Sequence, residues 1–506
     1  MLRRNFLSCF PALTAAPNAK ARRYHVCLNT EVLEQNPKLL ETVRRAGVDT
    51  IWLCGFLYGH WYYTPQKIRE WAARIRKAGM GVEVIHVPLG HPGDSLGAKS
   101  GEPPLTPPGH WRQGVRLDGT RHWGTSLHAP ATEENAAAIG QWKGSGFRTV
   151  FLDDDFRLAT GPGTIGGCHC DEHWAAFQKK AGPQNREALA ADIRARALTP
   201  AVRAWVEFQC DELTGCHRRL AAGARDGMQV GVMVMYLGSE KAGIRLTDYG
   251  GVPFRVGELM FADRQFDAVK GKTDELFSCL FHRRFVAPGL AYSESTAFPA
   301  DKLSAANMAA KLCISTICDV RNTMFMSGLT PFPATHWETL GPAMRRQAEI
   351  HSRVAGLSPS GPFQHYWGEA SRYVGADKPY SLFLALGVPF EAAGEGPREG
   401  WTFLSDDDAR YRGAARARFV TRAEVGETLP ELWAFRRRIL PEIGLTPYVE
   451  EETPVVCCWY REKSLAVVWN LLPEARAVTV RYGRWNRRVA LGALGMELVE
   501  LGNPEQ

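Results

Sequence analysis

From Tyr24 onward, short apolar or β-branched runs alternate with longer stretches whose apolar positions recur at helical spacing, the pattern of repeated βα units around a parallel sheet. Eight such runs predict strands: YHVCLNT at 24, VDTIWLCGF at 48, GVEVIHVPLG at 81, FRTVFLDDDF at 147, MQVGVMVMYLG at 228, VGELMFA near 256, PGLAYSES near 288 and RNTMFMSGL at 321. Between them, 65–78, 132–143, 200–222 and 304–317 carry helical periodicity. Eight strands with intervening helices suit a closed (β/α)8 TIM barrel better than an open sheet, with the barrel spanning 21–356 and ending in a helix over 340–355.

After the Pro/Gly/Ser stretch 356–362 the pattern changes. KPYSLFLALGVPFEA and WTFLSDDDARYRG read as strand, turn and loop, and 428–440 reads as a helix with Thr428 as N-cap and Pro430 in its first turn, so 357–448 is expected to be a small α/β domain. From Thr453 come the short strands VVCCWY, SLAVVWNL, AVTVRYG, RRVALG and MELVEL, which predict an antiparallel β-domain over 449–506.

Composition narrows the function class. With 506 residues there is ample surface to bury, and no run approaches the roughly 18 apolar residues of a membrane span, so a soluble multidomain protein without a membrane partner is expected. The net charge of +7 is spread along the chain, and its densest cluster, Arg436 to Arg438, reads as the polar face of a helix, which argues against a nucleic-acid partner. Residues 1–20 carry Arg3 and Arg4, a short apolar stretch and small residues at 15–19, which point to a twin-arginine export signal and a periplasmic or extracellular location; a frayed extension on a cytoplasmic protein is the alternative. The cysteines lie mostly in apolar runs, Cys27, Cys54, Cys279, Cys313 and Cys318 among them, where they read as small buried hydrophobes.

The reactive groups of such a barrel sit where strands end and βα loops begin. The fourth strand runs directly into Asp153, Asp154 and Asp155, whose mutual repulsion favours keeping one of them protonated as a general acid. The seventh ends in Glu294, a lone carboxylate after an apolar and aromatic run, which calls either for a cation such as Arg283 or for a catalytic role. Two opposed carboxylates are what glycosidic cleavage requires: one protonates the leaving oxygen, the other attacks the anomeric carbon or activates water. The chain has 15 Trp, and Trp52, Tyr58, Trp61, Tyr62 and Tyr63 in and after the second strand, with Trp111 and Trp123 further on, could stack on sugar rings. His86, Arg121, His122, Asp263 and Arg264 are polar groups suited to holding sugar hydroxyls. Finally, Cys168, Cys170 and His173 form a C-x-C-x-x-H cluster of ligands for tetrahedral zinc, with His128 as the candidate fourth.

These residues resemble the β-galactosidases of glycoside hydrolase family 42, barrel enzymes that retain anomeric configuration. In that family the fourth strand ends in D-N-E-Y-G, followed by C-x-C-x-x-C. Here the counterparts are Asp153, Asp154, Asp155, Phe156 and Arg157, then Cys168, Cys170 and His173. The resemblance places Asp155 on the acid/base, Asp154 on the preceding Asn, and Glu294, by its order along the chain, on the nucleophile. GTRHWGTSLHAP resembles the stretch that carries the family's first zinc-binding Cys and a substrate-binding Arg; it has Arg121 but no Cys. Asp in place of Glu shortens the acid by a methylene, so the resemblance implies a glycosidase without fixing galactose as its sugar.

The reading is therefore a retaining glycoside hydrolase that needs no catalytic cofactor, with Cys168, Cys170, His173 and His128 as candidate ligands of a structural zinc and a metal-free loop as the alternative. Asp155 and Glu294 are its catalytic pair, and Asp153, Asp154, Arg121, Trp52, His86 and Arg264 face a carbohydrate substrate. A homo-oligomer is compatible with the sequence. The alternatives are a carbohydrate-binding barrel without turnover and an enzyme that binds a divalent metal through Asp153–Asp155.

Overall fold

The computed structural model describes residues 22–88, 107–122, 127–153, 156–158, 163–234, 237, 239–256, 260–328, 330–391, 400–411 and 418–506. Asp154, Asp155, Trp123 and the expected export signal at 1–20 lie outside the described residues.

Eight parallel strands close the barrel: β1 (Arg23–Cys27), β2 (Thr50–Leu57), β3 (Gly81–Val87), β4 (Thr149–Leu152), β5 (Gln229–Met233), β6 (Phe254–Val256), β7 (Ala291–Thr296) and β8 (Asn322–Met326). Each pairs with its neighbour in chain order, and pairing of β1 with both β2 and β8 completes the ring. Strand six is shorter and earlier than the sequence suggests, because the charged Arg255 in Pro-Phe-Arg-Val disguises a strand that buries a guanidinium inside the barrel. The last helix of the barrel begins at Ala334, ahead of the expected start, and carries Pro342 within it.

Period-two alternation sorts the strand side chains. Val82, Val84, Val150, Leu152, Val230 and Val232 face the outer helices. Cys27, Trp52, Cys54, Ile85, Val87, Phe151, Tyr292 and Met324 fill the lumen. The lumen is plugged by an aromatic layer: ring centroids lie 4.9 Å apart for Trp52 and Phe151, 4.9 Å for Phe151 and Tyr292, and 5.2 Å for His25 and Tyr292. Trp52 donates its indole N–H to His25 Nδ1 at 3.1 Å, so the one polar atom of this ring is paired. Gly231 on β5 makes room for this layer, since a Cβ there would lie 2.6 Å from the Phe151 ring.

Beyond the barrel, Phe363–Tyr366, Trp401–Leu404 and Arg418–Val420 form a three-stranded parallel sheet. The helix Leu429–Ile439 follows, with Thr428 as N-cap accepting from Glu431 N–H and Glu431 returning to the Thr428 backbone. The C-terminal region holds two three-stranded antiparallel sheets, built from Tyr448–Val449, Arg476–Tyr482 and Trp485–Leu491, and from Val455–Tyr460, Leu465–Asn470 and Met496–Glu500. They share an apolar layer of Val455, Cys457, Val468, Val478, Val480 and Val499. The other face of the second sheet, Val456, Cys458, Tyr460, Val467 and Trp469, packs into the core shared with the barrel. Burial on both faces explains why VVCCWY reads as a continuous apolar run instead of an alternating one.

Candidate active site and metal centre

The ends of β4, β6 and β7 meet around one guanidinium. Arg255, fully buried in the lumen, donates from Nη1 to Asp153 Oδ1 at 2.7 Å and lies with Nη2 3.1 Å from Glu294 Oε2. Thr296 Oγ1 donates to the other Glu294 oxygen at 2.5 Å. Glu294 follows Tyr292 by one pleat and pairs in register with Met324, which puts its carboxylate on the mouth side of the aromatic plug, 3% exposed. Burial alone would disfavour the charge on Arg255; the carboxylates of Glu294 and Asp153 outweigh it and raise the pKa of the guanidinium. A carboxylate held this way is fixed in orientation and favoured in its ionised form, the state a nucleophile needs. Asp153 is paired with the same cation, so one of its oxygens is committed to Arg255.

Several sequence expectations are corrected. Glu294 pairs with Arg255, whereas Arg283 faces Asp319 at 3.8 Å and donates to the Val286 carbonyl. Trp52 is part of the lumen plug, entirely buried, and is no subsite wall. His86 points outward from β3: its Nε2 accepts from Trp142 Nε1 at 2.8 Å, and Phe56 and Trp61 pack around it. Desolvation there lowers its pKa to about 3 and keeps it neutral. Trp61 and Trp111 pack outside the lumen, the latter donating to Glu134 at 2.7 Å. Of the strand-two aromatics, Tyr58 and Tyr62 join the lumen cluster. Asp263 caps the helix Ala305–Ile317 through Ser304 N–H and Asn307, Arg264 is exposed beside it, and Arg121 is exposed on a two-stranded hairpin between β3 and β4. No hydrogen bond or ion pair among the described residues joins Arg264 or Arg121 to the carboxylates.

Arg255 and Thr296 escape sequence reasoning. The signal for Arg255 is a lone cation in an apolar strand, the mirror image of the lone Glu294, and the two satisfy one another.

A second constellation forms between the loop after β4 and the segment at His128. One donor atom each from His128, Cys168, Cys170 and His173 lie within 4.8 Å of one another. Cys170 Sγ is 3.4 Å from His128 Nε2 and 3.3 Å from His173 Nδ1, close to the roughly 3.5 Å edge of a tetrahedron with Zn–S near 2.3 Å and Zn–N near 2.0 Å. Glu172 Oε2 lies 3.5 Å from His128 Nδ1 and is itself paired with Arg112 at 2.6 Å, so a carboxylate orients the ring with Nε2 toward the cluster. Backbone N–H groups of Val115 and His173 point at the two sulfurs, at 3.4 and 3.5 Å. The donor set and its surroundings fit zinc.

No family model and no curated protein matches this sequence. Among solved structures, the chain is similar over nearly its whole length to barrel glycosidases. A catalytic mutant of Gan42B, a GH42 β-galactosidase from G. stearothermophilus, superposes with a TM-score of 0.61 at 10% identity, covering 96% of this chain and 98% of that one. The unmutated Gan42B gives 0.60 at 9%, covering 95% and 98%. Alpha-L-fucosidase isoenzyme 2 from Paenibacillus thiaminolyticus gives 0.56 at 10%, covering 95% and 100%. The chain thus has the fold of these glycoside hydrolases: a (β/α)8 barrel followed by two smaller domains.

Proposed function

We propose that the chain is a retaining glycoside hydrolase. Asp155 donates its proton to the glycosidic oxygen as Glu294 attacks the anomeric carbon and the aglycone leaves; Asp155 then deprotonates a water that attacks the same carbon and frees Glu294. Asp154 positions the sugar. The observation that carries this reading is the pairing of Glu294 with Arg255 and Thr296 at the mouth end of β7, which favours the ionised carboxylate on the side from which a substrate enters. Hydrolysis of a panel of nitrophenyl glycosides, with the anomer of the first product followed by NMR, tests it. Turnover with retention that is lost in Asp155→Asn supports it, and an undiminished rate in that variant removes Asp155 from the mechanism.

A second reading, a sugar-binding barrel without turnover, draws on the near-complete burial of Glu294. It predicts retention on an immobilised glycan with no hydrolysis of any glycoside in the panel. A divalent-metal enzyme built on all three aspartates is disfavoured, because Asp153 already faces a guanidinium that would repel a second cation.

His128, Cys168, Cys170 and His173 would hold a structural zinc that ties the segment at His128 to the loop after β4, beside the point where His169 N–H bonds to Val115 O of the hairpin Gly114–His122 at 2.8 Å. Export by the twin-arginine signal belongs to the same proposal, because that route carries proteins already folded around their metal.

A further inference from the structure

The loop that leaves β4, on which Asp155 lies, meets both the barrel's own β5 loop and, from outside the barrel, the second domain. Its described parts are fastened at four points. Leu158 N–H donates to Ala242 O and Gly166 N–H to Lys241 O, each at 2.7 Å; Gly163 N–H donates to Asp377 Oδ2 at 2.7 Å; and Trp205 Nε1 donates to Gly166 O at 3.1 Å. Residues 241 and 242 are themselves fixed from the second domain. Lys241 Nζ lies 2.6 Å from Asp377 Oδ1 and 2.9 Å from Ser371 O, with both charged side chains almost completely buried. Its neighbour Glu240, entirely buried, accepts from Arg372 Nε at 3.0 Å.

Asp377 is the shared point of this arrangement. One of its oxygens holds the β5 loop through Lys241 and the other holds the β4 loop through Gly163. Its backbone is left-handed, with φ of 57°, a conformation Asp tolerates better than most side chains. The loop also passes so close that a Cβ on Gly163 would lie 3.2 Å from Ala376 Cα. A buried Lys–Asp pair is weak evidence of net stabilisation, since desolvation offsets its attraction, but it fixes geometry well. A general acid is sensitive to displacements of an ångström.

We infer that Asp377, with Lys241, is a positioning residue for the proton donor: the second domain sets the height of the β4 loop over the barrel mouth and so the reach of the carboxyl at 155. A shortened acid, Asp where the resembling family has Glu, makes that setting more demanding. This inference rests on the glycosidase reading of Asp155.

The test uses the full chain and two glycosides of one sugar, a dinitrophenyl glycoside whose leaving group departs unprotonated and an alkyl glycoside whose leaving group requires the acid. In Asp377→Ala and Lys241→Met, kcat/KM on the alkyl glycoside should fall by about ten- to a hundredfold while the dinitrophenyl glycoside stays within about threefold of wild type. Asp377→Asn keeps an oxygen for Gly163 N–H and loses only the charge facing Lys241, so it decides the matter if the alanine variant does not fold. Equal losses on both substrates, or no loss on either, overturn the inference, because a purely structural role cannot sense the leaving group. Asp155→Asn is the reference. If it shows the split and the Asp377 variants do not, the positioning role falls while the glycosidase reading stands; if it shows none, both fall.

Discussion

Arg255 and Glu294 stand 3.1 Å apart in the barrel lumen, on neighbouring strands, with Asp153 bound to the second arm of the same guanidinium. Removing the cation leaves two buried carboxylates facing each other. Arg255→Met should therefore lower turnover by at least about a hundredfold and destabilise the fold by about 3–5 kcal/mol, the cost of breaking a buried pair. Arg255→Lys should fold better yet remain impaired, because one ammonium cannot bridge both carboxylates in the way a planar fork does. Steady-state rates together with urea unfolding check both.

Trp52 is expected to matter for stability more than for sugar recognition. Trp52→Ala should cost about 3–5 kcal/mol through loss of the plug, seen in thermal unfolding. A rise in KM with unchanged stability would place the ring in a subsite instead.

Purified protein should hold close to one zinc per chain by atomic absorption, and Cys168→Ala or His128→Ala should lower that occupancy severely. Chelation should reduce Tm without an immediate loss of turnover, since the four ligands leave no open position for catalysis.

Buried histidines set the response to acid. Desolvation lowers the pKa of His25, His86 and His365 to about 3 each, against 6.5 when unfolded. Between those values the unfolded chain binds protons that the folded one refuses, so stability is full above about pH 6.5 and falls as pH drops toward 3. At pH 5 each such histidine removes about 2 kcal/mol. Urea midpoints across pH 5 to 7.5 should show the decline, and His86→Gln should flatten it by about one proton; an unchanged slope would contradict the assignment.

Much of this was readable in the residues, and the failures share one cause. β-branched runs at βα spacing specify the barrel, and C-x-C-x-x-H with a distant His128 specifies the cluster, because ligand chemistry allows few alternatives. Arg255 was hidden because a cation inside a strand mimics a loop until its two carboxylate partners, from strands four and seven, are brought beside it. His86 and Trp52 depart from the sequence expectation for a related reason: period two says that a residue faces one side of the sheet, but not whether that side at that height is plug, helix contact or open mouth. Asp377 lies more than 200 positions from Gly163, a separation across which local pattern carries no signal.

The central claim is that Glu294 bonds to the sugar. It is tested most directly by incubating the protein with an activated fluorosugar of whichever glycon it hydrolyses and mapping the trapped adduct by mass spectrometry of peptides. The account predicts one glycosyl group per chain, attached to Glu294; an adduct on another residue, or none with a glycon that is turned over, would contradict it.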